Sequence, residues 1–350
     1  MLARIADALP AEPGFLFEPK WDGFRAIVFR SGKETLLQSR DLKPLNRYFP
    51  ELEQALHDIL PEGCVLDGEI VVASARGLDF DALQQRIHPA ASRVARLAKE
   101  TPARFVAFDL LAVDGRSTMD LPQAKRRMRL EALLDGMKPP LHLTPVTRDK
   151  VEAGRWLEQF EGAGLDGVIA KLESAVYQPG KRAMLKIKHV RTADCVVAGF
   201  RFYKDRDDAV GSLLLGLYDD AAVLHHVGIT SSFKMAMRQQ LLQELAPLRD
   251  AAMATHPWRD WGNAAAVGAA GDSAQRMPGA QSRWSGGKDL SWEPLRPERV
   301  CEVRYDHLQG DRFRHATSFL RWRPDKPPAD CRYDQLEVTT PYELAKVFGA

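Results

Sequence analysis

A chain of 350 residues, 45% hydrophobic and 27% charged, has the balance of an ordinary soluble globular protein and is long enough for about two domains. Its net charge of +2 neither requires nor excludes nucleic acid, because a basic groove can be offset by acidic surface elsewhere. Cys64, Cys195, Cys301 and Cys331 lie far apart with no CxxC pair, which argues against a zinc site and a disulfide scaffold and suits a reducing compartment. Neither a signal-peptide core nor a membrane-spanning apolar run is visible, so the cytoplasm or nucleoid is the expected setting.

The first dense feature is Glu18-Pro-Lys-Trp-Asp-Gly-Phe-Arg25. Apolar residues at 15–17 and 24–29 read as the two strands of a hairpin, with Asp22-Gly23 as the turn and Lys20 at its mouth. Such a lysine is a covalent nucleophile if burial or neighbouring cations lower its pKa, and otherwise a solvated side chain. A third strand is expected at 35–39. Arg40 leaves its end, either as a surface cation or as a contact to an anion or ribose. Phe49, Leu52, Leu56 and Ile59 recur at helical spacing. Residues 65–72 form a buried strand that carries Asp67 and Glu69. Apolar strands tolerate acids that are paired or hold metal, so Glu69 is a metal ligand, a ribose contact or a satisfied acid in a tight bend.

Short helices follow at 79–87 and 92–98, then a buried strand at 105–111. There Phe108 is core or a purine platform, and Asp109 again puts an acid among apolar residues. The basic amphipathic helix at 123–134 reads as a solvated face without a site role. After a helix ending at Gly162, Asp166-Gly-Val-Ile-Ala-Lys171 is a third acid-glycine-apolar strand. A cation-rich turn at 177–182 leads into Leu185-Lys186-Ile187-Lys188, whose period of two puts both lysines on one face. That pair suits a polyphosphate or an ordinary solvated face.

From residue 192 the pattern changes to short strands at 195–203, 212–218, 222–228, 300–305 and 312–322, with a helix from a Ser231 N-cap to Leu245. Five strands and one helix fit an OB-fold barrel. Residues 251–292 are rich in Ala, Gly and Ser, yet carry Trp258, Trp261, Trp284 and Trp292 with Arg283 and Lys288. They read as a long insertion that packs on its own barrel or touches DNA.

Lys20-Trp-Asp-Gly-Phe-Arg25, Asp67-Gly-Glu69, Phe108-Asp109, Asp166-Gly-Val-Ile-Ala-Lys171 and Lys186-Ile-Lys188 together follow the order and rough spacing of the covalent nucleotidyltransferase superfamily of DNA ligases, RNA ligases and mRNA capping enzymes. The chain resembles the ATP-dependent DNA ligases, and within them the small bacterial ligase C type. Residues 300–306, 312–315 and 319–326 extend the likeness over nearly the whole chain. In one departure the fourth motif begins with Asp166, where DNA ligases usually carry Glu, so the carboxylate is one methylene shorter and a water would bridge the gap to a metal.

The resemblance implies an α+β chain. An ATP-grasp-like nucleotidyltransferase (adenylation) domain of antiparallel sheets and helices would span 1–190. An OB-fold β-barrel domain would span 191–350, with the insertion at about 250–292. It also implies three steps: Lys20 takes AMP from ATP, AMP passes to the 5′-phosphate of a nick, and the 3′-hydroxyl displaces it. By the same likeness Glu18 accepts from the adenine amino group, Phe108 stacks on adenine and Lys171 approaches its other side. Arg25 and Arg40 meet ribose or the nick phosphate. Glu69 holds ribose or metal, and Asp166 holds metal. Arg182, Lys186 and Lys188 grip phosphates, while Arg323 and Lys326, with Asp325, orient pyrophosphate. Hard oxygen ligands imply Mg²⁺, with Mn²⁺ as a substitute. Nicked duplex DNA is the implied partner, in DNA repair, alongside repair proteins, for a monomer. An RNA ligase or GTP-dependent capping enzyme is the rival, and a non-catalytic nucleic-acid-binding module a third reading.

Overall fold

The computed structural model describes residues 1–74, 77–188, 191–259, 291–306, 308–336 and 343–347. They divide into two units: Met1–His189 with Thr339–Ala350, and Val190–Val338.

The first unit contains two sheets. In the larger, Glu34–Ser39, Phe24–Ser31, Cys64–Ser74, Ala103–Val113 and Arg116–Ser117 are antiparallel neighbours in that order, and Leu141–Leu143 runs parallel to Ala103–Val113. The helix Pro50–Ile59 presents Leu52 and Leu56, which are fully buried in a core shared with Leu66, Ile70 and Phe105. In the smaller sheet the order is Ala3–Ala6, Met184–Ile187, Val168–Leu172, Phe15–Pro19. Its core side joins Phe17, Val168, Ala170 and Ile187 to Trp156 and Phe160.

The lysine stretch is not a hairpin. Phe15–Pro19 pairs with Val168–Leu172 in the smaller sheet, whereas Phe24–Ser31 pairs with Glu34–Ser39 and Cys64–Ser74 in the larger one. Lys20 therefore lies where the chain crosses between sheets. Gly23 is required by close approach: a Cβ there would collide with the Ile70 carbonyl oxygen. Trp21 is buried at the crossing and donates its indole N–H to Thr144 Oγ1 at 2.8 Å.

The second unit is a five-stranded antiparallel sheet, Leu224–Thr230, Val210–Tyr218, Arg191–Phe202, Glu293–Tyr305 and Ser318–Trp322. A bridge between Thr230 and Thr317 joins its two edges, closing the OB-fold barrel. Phe200, Leu213, Leu215 and Val300 fill it, and the helix Met235–Leu245 contributes Leu241. That helix begins at Met235 with Lys234 at its N-cap and not at Ser231, whose carbonyl accepts from Phe233 N and from Arg238 Nη2. The strand expected at 312–322 is two pieces, Arg312–Phe313, paired with Leu308–Gln309, and Ser318–Trp322.

The insertion packs on its barrel at both described ends. Trp258 is fully buried, donates to the Leu224 carbonyl at 2.8 Å and meets Trp292 edge-on at 5.9 Å. Trp261, Arg283, Trp284 and Lys288 lie outside the described residues. Beyond the barrel, Leu344 and Val347 are buried in the first unit's core, the one that contains Trp156. Among the described residues no helix is long and apolar enough to cross a membrane.

Candidate active site

Register assembles the site. Ile169 is opposite both Glu18 and Lys186, so the period of two puts Glu18, Lys171 and Lys186 on one face of the smaller sheet. Phe17, Ala170 and Ile187 turn to the other face, toward Trp156. Lys20 follows directly. Its N–H donates to the Gly167 carbonyl and its carbonyl accepts from Asp166 N, both at 2.8 Å. Gly167 has φ +122° and a Cβ there would strike the Ile187 carbonyl, so glycine alone permits this clamp. Lys20 Nζ forms an ion pair with Asp166 Oδ2, and Lys188 Nζ reaches the same oxygen at 3.0 Å. Two ammonium groups thus converge on one buried carboxylate.

The larger sheet supplies the acids, and it treats them unequally. Arg25 is opposite Glu69 in register, yet its guanidinium turns to the diagonal neighbour Asp67, donating at 2.9 and 2.6 Å. Tyr177 Oη also donates to Asp67, at 2.8 Å, and Arg25 Nη1 donates to the Met1 carbonyl. Asp109 is held in the same two-pronged way by Arg126, at 2.8 and 3.0 Å. Glu69 differs: among the described residues it has neither a hydrogen bond nor an ion pair. Burial pushes its carboxyl up to about 8, against the pull of Lys20 and Arg25.

At the far end of the face, Lys171 Nζ binds Glu18 Oε2 at 2.7 Å and donates to the Phe108 carbonyl at 2.9 Å. It also lies 4.8 Å from the centre of the half-buried Phe108 ring, with the Arg25 guanidinium 5.6 Å away. The smaller sheet thus supplies a nucleophile candidate and further lysines, and the larger one an unpaired carboxylate and an aromatic ring that Lys171 meets.

Residues 1–188 match the family model of the ATP dependent DNA ligase domain, and residues 206–326 match that of the ATP dependent DNA ligase C terminal region. The chain belongs to the ATP-dependent DNA ligases. It is 54% identical over 337 residues to DNA ligase C2 of Mycolicibacterium smegmatis, covering 96% of this chain and 93% of that protein. It is 53% identical over 353 residues to DNA ligase C of Mycobacterium tuberculosis, covering 99% and 96%. This places it with the bacterial ligase C type and sets aside the RNA-ligase and capping readings. The structure of a Lig E DNA ligase, solved in a study of DNA binding with a minimal scaffold, superposes with a TM-score of 0.56 at 17% identity, covering 92% of this chain and 99% of that one. At that identity the likeness speaks for the fold.

The other expected site residues have different surroundings. Arg40 is 73% exposed, 3.8 Å from Asp41. Arg182 is exposed in the turn before Met184–Ile187. Arg323 and Lys326 belong to the second unit, where Asp194 accepts from Arg323 Nη1 at 2.9 Å and from Lys326 Nζ at 3.0 Å, and Asp325 also holds Arg323. Among the described residues no group of three or more His, Cys, Asp or Glu could by itself hold a metal. Mg²⁺ needs less: one or two carboxylates beside substrate phosphates and water. The unpaired Glu69 and the lysine-bound Asp166 fit that requirement.

Sequence reasoning placed the helix Gln123–Leu134 but, reading it as a solvated face, missed its buried arginines. Its buried residues are Gln123, Arg126, Arg127, Leu130 and Leu134, a helical stripe in which two members are arginines. Arg126 answers Asp109, and Arg127 faces Glu18 with Nη1 3.8 Å from Oε1. The available signal was the spacing, since 123, 126, 127, 130 and 134 recur at i, i+3, i+4, i+7 and i+11.

Proposed function

We propose that this ATP-dependent DNA ligase seals 3′-hydroxyl/5′-phosphate nicks in duplex DNA through an AMP adduct on Lys20, as a monomer that serves DNA repair in the nucleoid. The observation that carries the assignment of residues is the convergence of Lys20 and Lys188 on Asp166. In the first step the Lys20 ammonium gives up one proton, its Nζ bonds to the α-phosphorus of ATP as the bond to pyrophosphate breaks, and the second proton leaves the nitrogen with the departing pyrophosphate or to water. Asp166 Oδ2, in contact with that ammonium, is the group placed to receive the first proton. Lys186 and Lys188 hold the phosphates, Phe108 and Lys171 hold the base, and Glu18 accepts from its amino group. Arg323 and Lys326 orient the departing pyrophosphate. Glu69 and Asp166 would hold Mg²⁺, which when bound offsets triphosphate charge and weakens the hold of Lys20 on its proton. In the second step an oxygen of the DNA 5′-phosphate displaces Lys20 from AMP. In the third the 3′-oxygen attacks the 5′-phosphorus and AMP leaves. Arg25 and Arg40 contact ribose or the nick phosphate.

Intact-mass measurement tests this. Protein incubated with ATP and Mg²⁺ should gain one AMP, lose it on addition of pyrophosphate, and show no gain as Lys20→Ala. A wild-type protein that acquires no adduct from any nucleotide with Mg²⁺ or Mn²⁺ would overturn the reading.

A further inference from the structure

Behind the base-binding face lies an unusual pair. Glu18 is 2% exposed and its Oε2 is taken by Lys171. Its Oε1 has no hydrogen bond, and neither has Arg127 Nη1, which stands 3.8 Å away. The rest of the Arg127 guanidinium is tied down: Nε donates to Glu131 Oε1 at 2.7 Å, and Nη2 donates to the Thr144 carbonyl at 2.8 Å. Thr144 in turn holds the Trp21 indole, next to Lys20. Buried polar atoms are seldom left without partners, and here two of opposite charge face each other beyond hydrogen-bond range.

We propose that Arg127 is a positioning residue for base selection: fixed from behind, it keeps Glu18 an acceptor at Oε1 and so favours ATP over GTP. This rests on Glu18 facing adenine, as set out above. Adenine presents an amino donor at the position where guanine presents a carbonyl acceptor. An ionised carboxylate only accepts, whereas a protonated one also donates and would welcome guanine. Burial pushes Glu18 toward protonation and Asp109 adds to that push, while Lys171 and Arg127 oppose it. Lys171 is engaged with Oε2 and the Phe108 carbonyl, which leaves Arg127 as the cation set against Oε1.

The test is the rate of lysyl-AMP against lysyl-GMP formation, followed by mass from acid to alkaline pH. Arg127→Met should lower the ATP/GTP ratio about tenfold, with the loss deepening as pH falls. Arg127→Lys should retain most of the preference. If the Met variant does not fold, Arg127→Gln, which can still donate to the Thr144 carbonyl, gives the same readout. A variant that slows both nucleotides equally at every pH would overturn the proposal and leave Arg127 a purely structural residue. A wild-type protein that never forms lysyl-AMP would instead overturn the underlying assignment of Lys20.

Discussion

The two units differ in what they bury. The first buries four carboxylates, Glu18, Asp67, Asp109 and Asp166, together with Arg86, Arg126, Arg127 and Lys171. The second, among its described residues, buries no carboxylate at all. Its interior is Phe200, Leu213, Trp258 and their apolar neighbours, with Cys195, Cys301 and Cys331 acting as small apolar side chains. Its buried Arg238 is matched by backbone carbonyls, those of Val210, Gly211, Ser231 and Phe233. A barrel of this size thus forms without burying acid. Buried charge in the first unit is therefore not a requirement of folding as such, which agrees with the proposal that this unit holds the reacting groups.

Three measurements would break or sharpen this contrast. The largest effect is expected for Asp109→Ala, which strands the fully buried Arg126 without its carboxylate partner. It should destabilise the first unit by roughly 3–5 kcal/mol in a denaturant titration. A loss below about 1 kcal/mol would mean that the buried pairs of this unit carry little. A smaller effect concerns a buried base in the second unit. His226 is buried, and that burial, reinforced by Arg312 and Arg201 and opposed by a backbone hydrogen bond at Gly228, holds its pKa down to about 3. The unfolded chain therefore takes up this proton first as pH falls. Stability should be lost between about pH 6.5 and about pH 3, at up to about 1.4 kcal/mol per pH unit. His226→Phe should flatten that part of the stability profile; an unchanged slope would assign the acid sensitivity to another group. The smallest effect is expected where charge lies on the surface of the first unit. Arg148 pairs with Glu173 but is 66% exposed, and Arg148→Ala should change stability by no more than about 0.5 kcal/mol.

Much of this was legible along the chain. Glu69 and Phe108 announce themselves as a charge and a ring within apolar strands, and Lys20, Asp166 and Lys188 as charges beside them; such placement needs a partner or a purpose. What escaped depended on contacts distant in sequence. The Lys20 stretch reads as a hairpin because Asp22-Gly23 is a local turn signal, yet Gly23 is needed by the strand Cys64–Ser74, far downstream. Asp67 and Glu69 look equivalent on paper; only the diagonal swing of Arg25 satisfies one and leaves the other bare. The helix Gln123–Leu134 was read as solvated because arginine was taken as a surface residue, although its spacing already placed Arg126 and Arg127 with Leu130. The strand Ala3–Ala6 is four residues long and pairs with the distant Met184–Ile187, so little in its own sequence marks it.

The return of Leu344 and Val347 to the first unit makes the barrel a guest within its host's sequence, entered near residue 190 and left near residue 338. Trimming the C-terminus would accordingly remove ballast from beneath the catalytic half and spare the barrel it follows. A protease cut at either crossing would open the chain without setting the guest free.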